Sequence, residues 1–481
     1  MTTGKMLKFV TVGPEMPEKR DEVLRRKDFE EIYARYAPEA AAGQAGRCSQ
    51  CGVPFCQIHC PLHNNIPDWL MLTAEGRLEE AYEVSAETNT FPEICGRICP
   101  QDRLCEGSCV IEQSGHGTVT IGSIEKYLTD TAFDQGWVRP IRPVRETGQS
   151  VAIIGAGPGG LAAADKLRRF GYDVHVYDRY DRVGGLLIYG IPGFKLEKDI
   201  VQKRHDWLSD GGIHFHLDIC IGDDITFEEL REKHDAILIS TGVYKARDLK
   251  VPGRGLGNIA AAMDYLTASN RVGLGDTVPR FDDGSLNAKG KNVVVIGGGD
   301  TAMDCVRTAV RQGAKSVKCL YRRDKPNMPG STREVANAEE EGVQFIWLSA
   351  PEAFLGDENV TAVRATQMRL GLPDATGRRS PEPVEGSAVN HDCDLAILAL
   401  GFDPEDLPTL FDQPNLPVTR WGTVKIDHKT KMTAMQGVFA AGDIVRGASL
   451  VVWAIRDGRD AADSMHAYLI EKLKAAAAAA E

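Results

Sequence analysis

No apolar run in this 481-residue sequence approaches the roughly 20 residues that a membrane-spanning helix needs, so no membrane association is expected. The N-terminus, MTTGKMLKFV, has no long apolar region followed by a small-residue cleavage site. No export signal is read there, and the chain is expected in the cytoplasm. A basic excess is also missing: 56 Lys and Arg stand against 68 Asp and Glu, a formal net charge of −12. Phosphate backbones are bound by clusters of cations that are not evident here, which argues against nucleic acid as a partner. The hydrophobic fraction of 43% is ordinary for a globular protein, and the length allows roughly three domains of about 150 residues each.

What the chain does have is cysteine in an ordered pattern. Eight of its 12 cysteines fall as Cys48-x2-Cys51-x4-Cys56-x3-Cys60 and Cys95-x3-Cys99-x5-Cys105-x3-Cys109. The set is too regular for chance and too large for one metal, and it divides most simply into two four-thiolate sites. In a reducing compartment such a cluster reads as metal or redox chemistry before disulfides. Zinc competes for the pattern, because Cys48-x2-Cys51 could open a zinc knuckle. Closely stepped cysteines suit an iron–sulfur cubane wrapped by a loop better than the short repeated pairs of zinc sites. Cys220, Cys305, Cys319 and Cys393 lie apart in apolar segments and are expected to pack as small buried hydrophobes.

Residues 18–37 place Val23, Leu24, Phe29, Ile32, Tyr33 and Tyr36 roughly on one stripe, which predicts an amphipathic helix. Residues 66–88 also read as helix, with Pro67 in the first turn, so the two cysteine groups become loops joined by helices. A Pro- and Arg-bearing stretch at 137–145 reads as a linker. The alanine run at 475–481 is either a fraying helix end or disorder.

From Ser150 the texture becomes apolar strands alternating with amphipathic helices, which implies α/β architecture with doubly wound parallel sheets. It occurs twice. In the first unit a strand (VAII) leads into Gly155-Ala156-Gly157-Pro158-Gly159-Gly160 and then a helix; a second strand (DVHVYD) ends in Asp178. Glycines at these positions let backbone N–H groups approach a pyrophosphate at a helix N-terminus. Asp178, about twenty residues on, is placed for the adenosine ribose hydroxyls. In the second unit a strand (NVVVI) leads into Gly297-Gly298-Gly299-Asp300-Thr301-Ala302, and the following strand ends in Arg322 and Arg323. A guanidinium pair suits a 2′-phosphate and lacks the carboxylate that would hold a free ribose hydroxyl, so NADPH is the expected nucleotide.

Further on come Gly184-Gly185-Leu186, Gly190-Ile191-Pro192, Ser240-Thr241-Gly242 and Gly437-Val-Phe-Ala-Ala-Gly442-Asp443. With these, residues 150–470 resemble the two-dinucleotide-domain flavoproteins of the glutathione-reductase-like kind. The resemblance implies FAD at the first site, held by the first glycine turn, Asp178, Arg179, Gly185, Leu186, Thr241, Gly242, Gly442 and Asp443. A final helix beginning near Ser449, Leu450 and Val451 would aim its N-terminus at the flavin. The NADPH domain would be inserted within the FAD domain, which gives an expected division into 1–145, 146–253, 254–400 and 401–481. Disulfide reductases of this superfamily keep a cysteine pair beside the flavin. Gly184-Gly185-Leu186-Leu187 carries no C-x4-C, so electrons need another exit, and the eight cysteines supply one.

NADPH gives two electrons as a hydride, an iron–sulfur cluster takes one, and flavin can do both. Hydride transfer to flavin needs no general acid or base, so no catalytic side chain is nominated. No third site for a carbon substrate is evident, which puts the final reduction on another polypeptide. With its parts in this order, the chain resembles the small (beta) subunits of bacterial NADPH-dependent glutamate synthases, with an N-terminal domain shared with dihydropyrimidine dehydrogenase. The resemblance implies two [4Fe-4S] clusters, one on Cys48, Cys51, Cys56 and Cys109 and the other on Cys60, Cys95, Cys99 and Cys105. It also implies a hetero-oligomer with a large (alpha) subunit that makes L-glutamate from L-glutamine and 2-oxoglutarate. NADPH-dependent ferredoxin and sulfide oxidoreductases reuse the same domains and are the alternative; a zinc-stabilised scaffold without redox turnover is the third reading.

Overall fold

A computed structural model describes residues 6–374 and 379–480; residues 1–5 of the N-terminal segment and Glu481 of the alanine tail lie outside them. The N-terminal region is helical, built on Pro38–Ala45, Ile66–Glu75, Leu78–Thr88, Pro92–Ile98 and Ile121–Asp134. Trp69, Leu70, Ile124 and Leu128 form the middle of its core. Residues 66–88 make two helices instead of one. The first ends at Gly76, whose φ of 79° is a left-handed conformation that closes a helix C-terminus.

Residues 18–37 do not form the expected helix. Only Glu22–Arg25 is helical, capped by the Asp21 carboxylate accepting from the backbone of Val23 and Leu24. The chain then doubles back, with Lys19 bridged antiparallel to Tyr33. Over this short helix the polarity is the reverse of the stripe, although Ile32 and Tyr36 farther along are buried: Val23 and Leu24 are 52% and 58% exposed, whereas Arg25 is 2% exposed and pairs with Glu340 and Glu341. Carboxylates more than 300 positions away outweigh the local pattern.

The first parallel sheet runs Val438–Ala440, Ala236–Ile239, Ser150–Ile154, Asp173–Tyr177, Ile213–His216. One of its strands comes from the far end of the chain, so the segment between 246 and 402 is an insertion. A two-stranded ribbon marks the passage, Lys245–Ala246 pairing with Phe402–Asp403. The inserted unit holds a second parallel sheet, ordered Ile259–Ala261, Leu395–Leu398, Asn292–Ile296, Ser316–Tyr321, Gln344–Trp347. It also carries an antiparallel addition, Ser349–Gly356 and Val389–Asp392 on either side of Val360–Pro373, which the alternating strand–helix reading did not foresee. The last helix, Val451–Ala480, crosses Pro158–Arg169 and continues through the alanine run. Among the described residues no helix is long and apolar enough to cross a membrane.

Charged contacts fix the helical region against both sheets. Glu93 receives two hydrogen bonds from Arg204, at 2.7 and 2.8 Å, and both side chains are buried. On the inserted unit, Arg333 pairs with Glu106 at 2.8 Å, and Asp102 accepts from Ser331 Oγ and Thr332 N.

Candidate functional site

The first glycine turn joins Ser150–Ile154 to Pro158–Arg169. Gly155 has φ of 109°, and a Cβ there would lie 2.4 Å from the Ser240 carbonyl oxygen; a Cβ on Gly160 would lie 2.0 Å from the Gly155 carbonyl oxygen. These two positions admit only glycine. A Cβ built on Gly157 meets nothing within 4 Å, so the space ahead of the helix N-terminus is open, as a pyrophosphate requires. Asp178 is buried and accepts from the backbone of Ala156 at 2.6 Å and of Tyr180 at 2.9 Å. Burial raises its pKa, and these two N–H groups oppose that shift by favouring the carboxylate.

One cavity over this turn is lined by Gly155, Gly157, Pro158, Gly159, Asp178, Leu186, Thr241, Gly242, Gly442, Asp443, Ser449, Leu450 and Val451. Residues from five separate stretches of the sequence meet there. A second cavity adjoins it on the Asp178 side, where Arg179 pairs with Glu405 at 3.0 Å and lies over the rings of Tyr180 and Tyr244. Gly185 sits against Gly157, where a Cβ built on Gly185 would lie 3.0 Å from the Gly157 Cα. Asp443 begins a short helical turn and accepts from Ser449 Oγ at 2.8 Å, which links the Gly-Asp turn to the start of the last helix. Cys220 lines this second cavity and is only half-buried; the expectation of a core thiol there is corrected, while Cys305, Cys319 and Cys393 are buried.

The second turn repeats the first. Gly297 has φ of 147°, and a Cβ built on Gly299 meets nothing within 4 Å ahead of Asp300–Arg311. Asp300 accepts from Ser331 N, and Gly298 accepts from Gly330 N, so the loop at 329–331 is tied to the turn. Ala302 is packed in the core of this unit. Arg322 is exposed, Arg323 half-buried, and neither makes an ion pair among the described residues. The Arg323 Nε is buried without a hydrogen-bond partner, a donor that a phosphate oxygen would satisfy.

All 12 cysteines are free thiols. Cys48, Cys51, Cys56 and Cys109 line one apolar cavity with Pro54, Leu70 and Val119. Cys60, Cys95, Cys99 and Cys105 line another with Leu62, Trp69, Glu125 and Val452. Burial pushes the Cys48 thiol up to about 11 and Cys56 and Cys60 up to about 12. Buried thiols without nearby cations stay protonated at neutral pH. Metal supplies the positive charge that lets such groups ionise.

A larger cavity links the first nucleotide cavity to the second thiol cavity. It is lined by Leu186, Ile191, Ser449, Leu450, Val451 and Val452 from the first nucleotide unit, by Asp300, Thr301 and Asp304 from the inserted unit, and by Cys99 and Gln101 from the helical region. Cys99 and Val452 line both this cavity and the second thiol cavity. Sequence reasoning missed several groups here. Lys195 donates to Asp304 at 2.9 Å inside the cavity wall, and burial raises the Asp304 carboxyl to about 6. Tyr244 lines both parts of the first nucleotide cavity. Its place two residues after Gly242 was the available signal; Lys195 and Asp304 had none, because they meet only across domains.

Residues 25–137 match the family model described as dihydropyrimidine dehydrogenase domain II, 4Fe-4S cluster, and residues 149–458 match pyridine nucleotide-disulphide oxidoreductase. Over 480 residues, all of both chains, the sequence is 68% identical to a glutamate synthase (NADPH) small chain of Azospirillum brasilense. It is 44% identical to the same-named chain of Escherichia coli K12, over 96% of this chain and 98% of that one. Among solved structures, Mycobacterium tuberculosis FprA in complex with NADPH superposes with a TM-score of 0.57 at 20% identity, covering 70% of this chain and 86% of that one, a likeness of fold.

Proposed function

Because the chain belongs to the family of NADPH-dependent glutamate synthase small chains, we propose that it oxidises NADPH at FAD and passes electrons through two [4Fe-4S] clusters to a large subunit. That subunit would make L-glutamate from L-glutamine and 2-oxoglutarate. The chain is an NADPH-dependent oxidoreductase of the electron-input kind, with iron–sulfur, flavin and nicotinamide-nucleotide sites.

One observation carries the reading. The cavity bordered by Leu450 and Val451, by Asp300 and Thr301, and by Cys99 reaches the second nucleotide turn, shares Leu186, Ser449, Leu450 and Val451 with the cavity over the first, and shares Cys99 and Val452 with the thiol cavity of Cys60, Cys95, Cys99 and Cys105. When bound, flavin accepts a hydride's two electrons and releases them singly, the currency a cluster takes. The chain's own contribution is placement. The glycine turn, Asp178, Arg179, Thr241, Gly242 and Asp443 would hold FAD, and the turn 297–302 with Arg322 and Arg323 would hold NADPH. Leu186, Ile191, Leu450, Val451 and Val452 give the shared cavity apolar walls that exclude water. Cys48, Cys51, Cys56 and Cys109 would hold one cluster, and Cys60, Cys95, Cys99 and Cys105 the other. The first stands farther from the shared cavity's lining and would face the partner. The functional units are 1–145 for the clusters, 146–253 with 401–481 for FAD, and 254–400 for NADPH, in a cytoplasmic hetero-oligomer.

Anaerobic purification with iron, sulfide, zinc and flavin counted per chain tests this. About eight iron, about eight sulfide and one FAD are expected, with dye reduction driven by NADPH. Zinc in place of iron, or a colourless preparation that leaves NADPH unoxidised, overturns the reading. Copurification with a large glutamine-hydrolysing chain tests the partner.

A further inference from the structure

Parallel pairing of Asp173–Tyr177 with the edge strand Ile213–His216 sets His175 opposite His214 and Tyr177 opposite His216. Residues two apart on a strand share a face, so Asp173, His175, His214 and His216 gather on one side of the sheet edge. Asp173 stands at the strand end remote from Asp178, whereas the His216 carbonyl accepts from Asp178 N at 3.0 Å; the electron path assigns no role to any of the four side chains.

The Asp173 carboxylate is 3.1 Å from Nε2 of His175 and 3.3 Å from Nε2 of His214. One ligand atom from each of the three residues lies within 4.8 Å of the other two. The Asp173 and His214 side chains are 53% and 56% exposed and His175 is 17% exposed, so the group opens to solvent on one side and is anchored on the other. The anchor is a second imidazole. Nδ1 of His175 is 2.9 Å from Nε2 of His216, whose ring stacks on Tyr177. A partner on the remote nitrogen is what fixes the orientation and tautomer of a metal-binding histidine. Two cations border the group and are engaged elsewhere: Arg168 pairs with Glu146, and Lys233 lies 3.4 Å from the Tyr177 hydroxyl.

We propose that Asp173, His175 and His214 bind one divalent transition-metal ion of the zinc class, with water completing the coordination and His216 as the positioning residue. Two imidazoles and one carboxylate form a donor set suited to zinc, and tetrahedral zinc at about 2.0–2.1 Å from each ligand needs ligand atoms about 3.3 Å apart. The nitrogen-to-carboxylate separations, 3.1 Å from His175 to one Asp173 oxygen and 3.3 Å from His214 to the other, are close to that value. The two rings stack at 4.8 Å between centroids, and a side-chain rotation of the exposed His214 brings its nitrogen in. The metal would tie the sheet's edge strand to its neighbour.

The test uses the holoprotein, its Asp173→Asn and His214→Ala variants, and His216→Gln, each dialysed against zinc ions. The unmutated protein should hold one more zinc per chain than either ligand variant. His216→Gln should keep the site with about 10–100-fold weaker affinity. Dye reduction by NADPH should be the same in all four, which shows that they are folded. A zinc-soaked crystal should give an anomalous peak between the three side chains. Equal zinc in all four proteins, or peaks only at cysteine thiols, overturns the assignment.

Discussion

Gly458 packs so closely on Gly159 that a Cβ built on it would lie 2.0 Å from the Gly159 carbonyl oxygen. The last helix and the helix of the first glycine turn therefore touch backbone to backbone. This contact sets where Val451 and Val452, at the start of the last helix, stand over the nucleotide cavity.

Gly458→Ala should force the two helices apart, because a backbone oxygen cannot turn aside as a flexible side chain can. A loss of about 1–3 kcal/mol in stability is expected, with less flavin retained per chain. Thermal unfolding and the flavin-to-protein ratio measure it; unchanged values would mean that the crossing does not position the site.

Glu93 and Arg204 join the helix that carries Cys95 to the helix Lys198–Asp210 beneath the first sheet, with neither side chain reached by solvent. Glu93→Gln leaves the guanidinium without its countercharge and should cost about 3–5 kcal/mol. Replacing both by apolar residues of similar size should recover much of that. Urea denaturation of the single and double variants separates the two outcomes.

Arg322→Gln with Arg323→Gln should weaken NADPH binding by a few kcal/mol and leave NADH binding nearly unchanged, since only the 2′-phosphate differs. Steady-state KM values for both nucleotides provide the comparison. Equal losses would remove the arginines from phosphate recognition.

Cys51→Ser and Cys99→Ser sit in different thiol cavities. Each should lower iron by about four atoms per chain on the proposed cluster inventory, while flavin remains and NADPH still reduces a dye. Iron assays on anaerobically purified variants decide it, and loss of all iron from both would contradict two separate sites.

Lys198 donates to the carbonyl oxygens of Leu187, at 3.0 Å, and Ile191, and burial lowers its ammonium to about 7. Between that value and the ordinary lysine range the unfolded chain binds more protons than the folded one, so this group's contribution to stability rises with pH. From pH 7 to pH 9 the melting temperature of the unmutated protein should gain on that of Lys198→Met. A constant difference between the two would disprove the shift.

The two nucleotide units were legible in the residues because their demands are local. A strand, a glycine turn, a helix and a residue of chosen charge about twenty positions on all lie within one βαβ stretch. Residues 18–37 misled for the opposite reason: Arg25 is buried by Glu340 and Glu341, which local periodicity does not include. The antiparallel addition after Trp347 was likewise invisible to a pattern that expected helices between strands.

By itself the sequence determined the chemistry on offer: eight stepped thiols, an acid ending one second strand and two arginines ending the other. These follow from residue identity and short spacing, which survive in one dimension. Tertiary structure alone decided that Cys99, Val452, Leu450 and Thr301 line one cavity; the grouping of Cys60 with Cys95, Cys99 and Cys105, and of Cys109 with Cys48, Cys51 and Cys56, was implied by the family resemblance and matches the thiols that line each cavity. The shared cavity depends on packing between segments hundreds of residues apart. The buried Glu93–Arg204 pair, the partly buried Glu106–Arg333 pair and the glycine contact at 159 and 458 hold that packing in place.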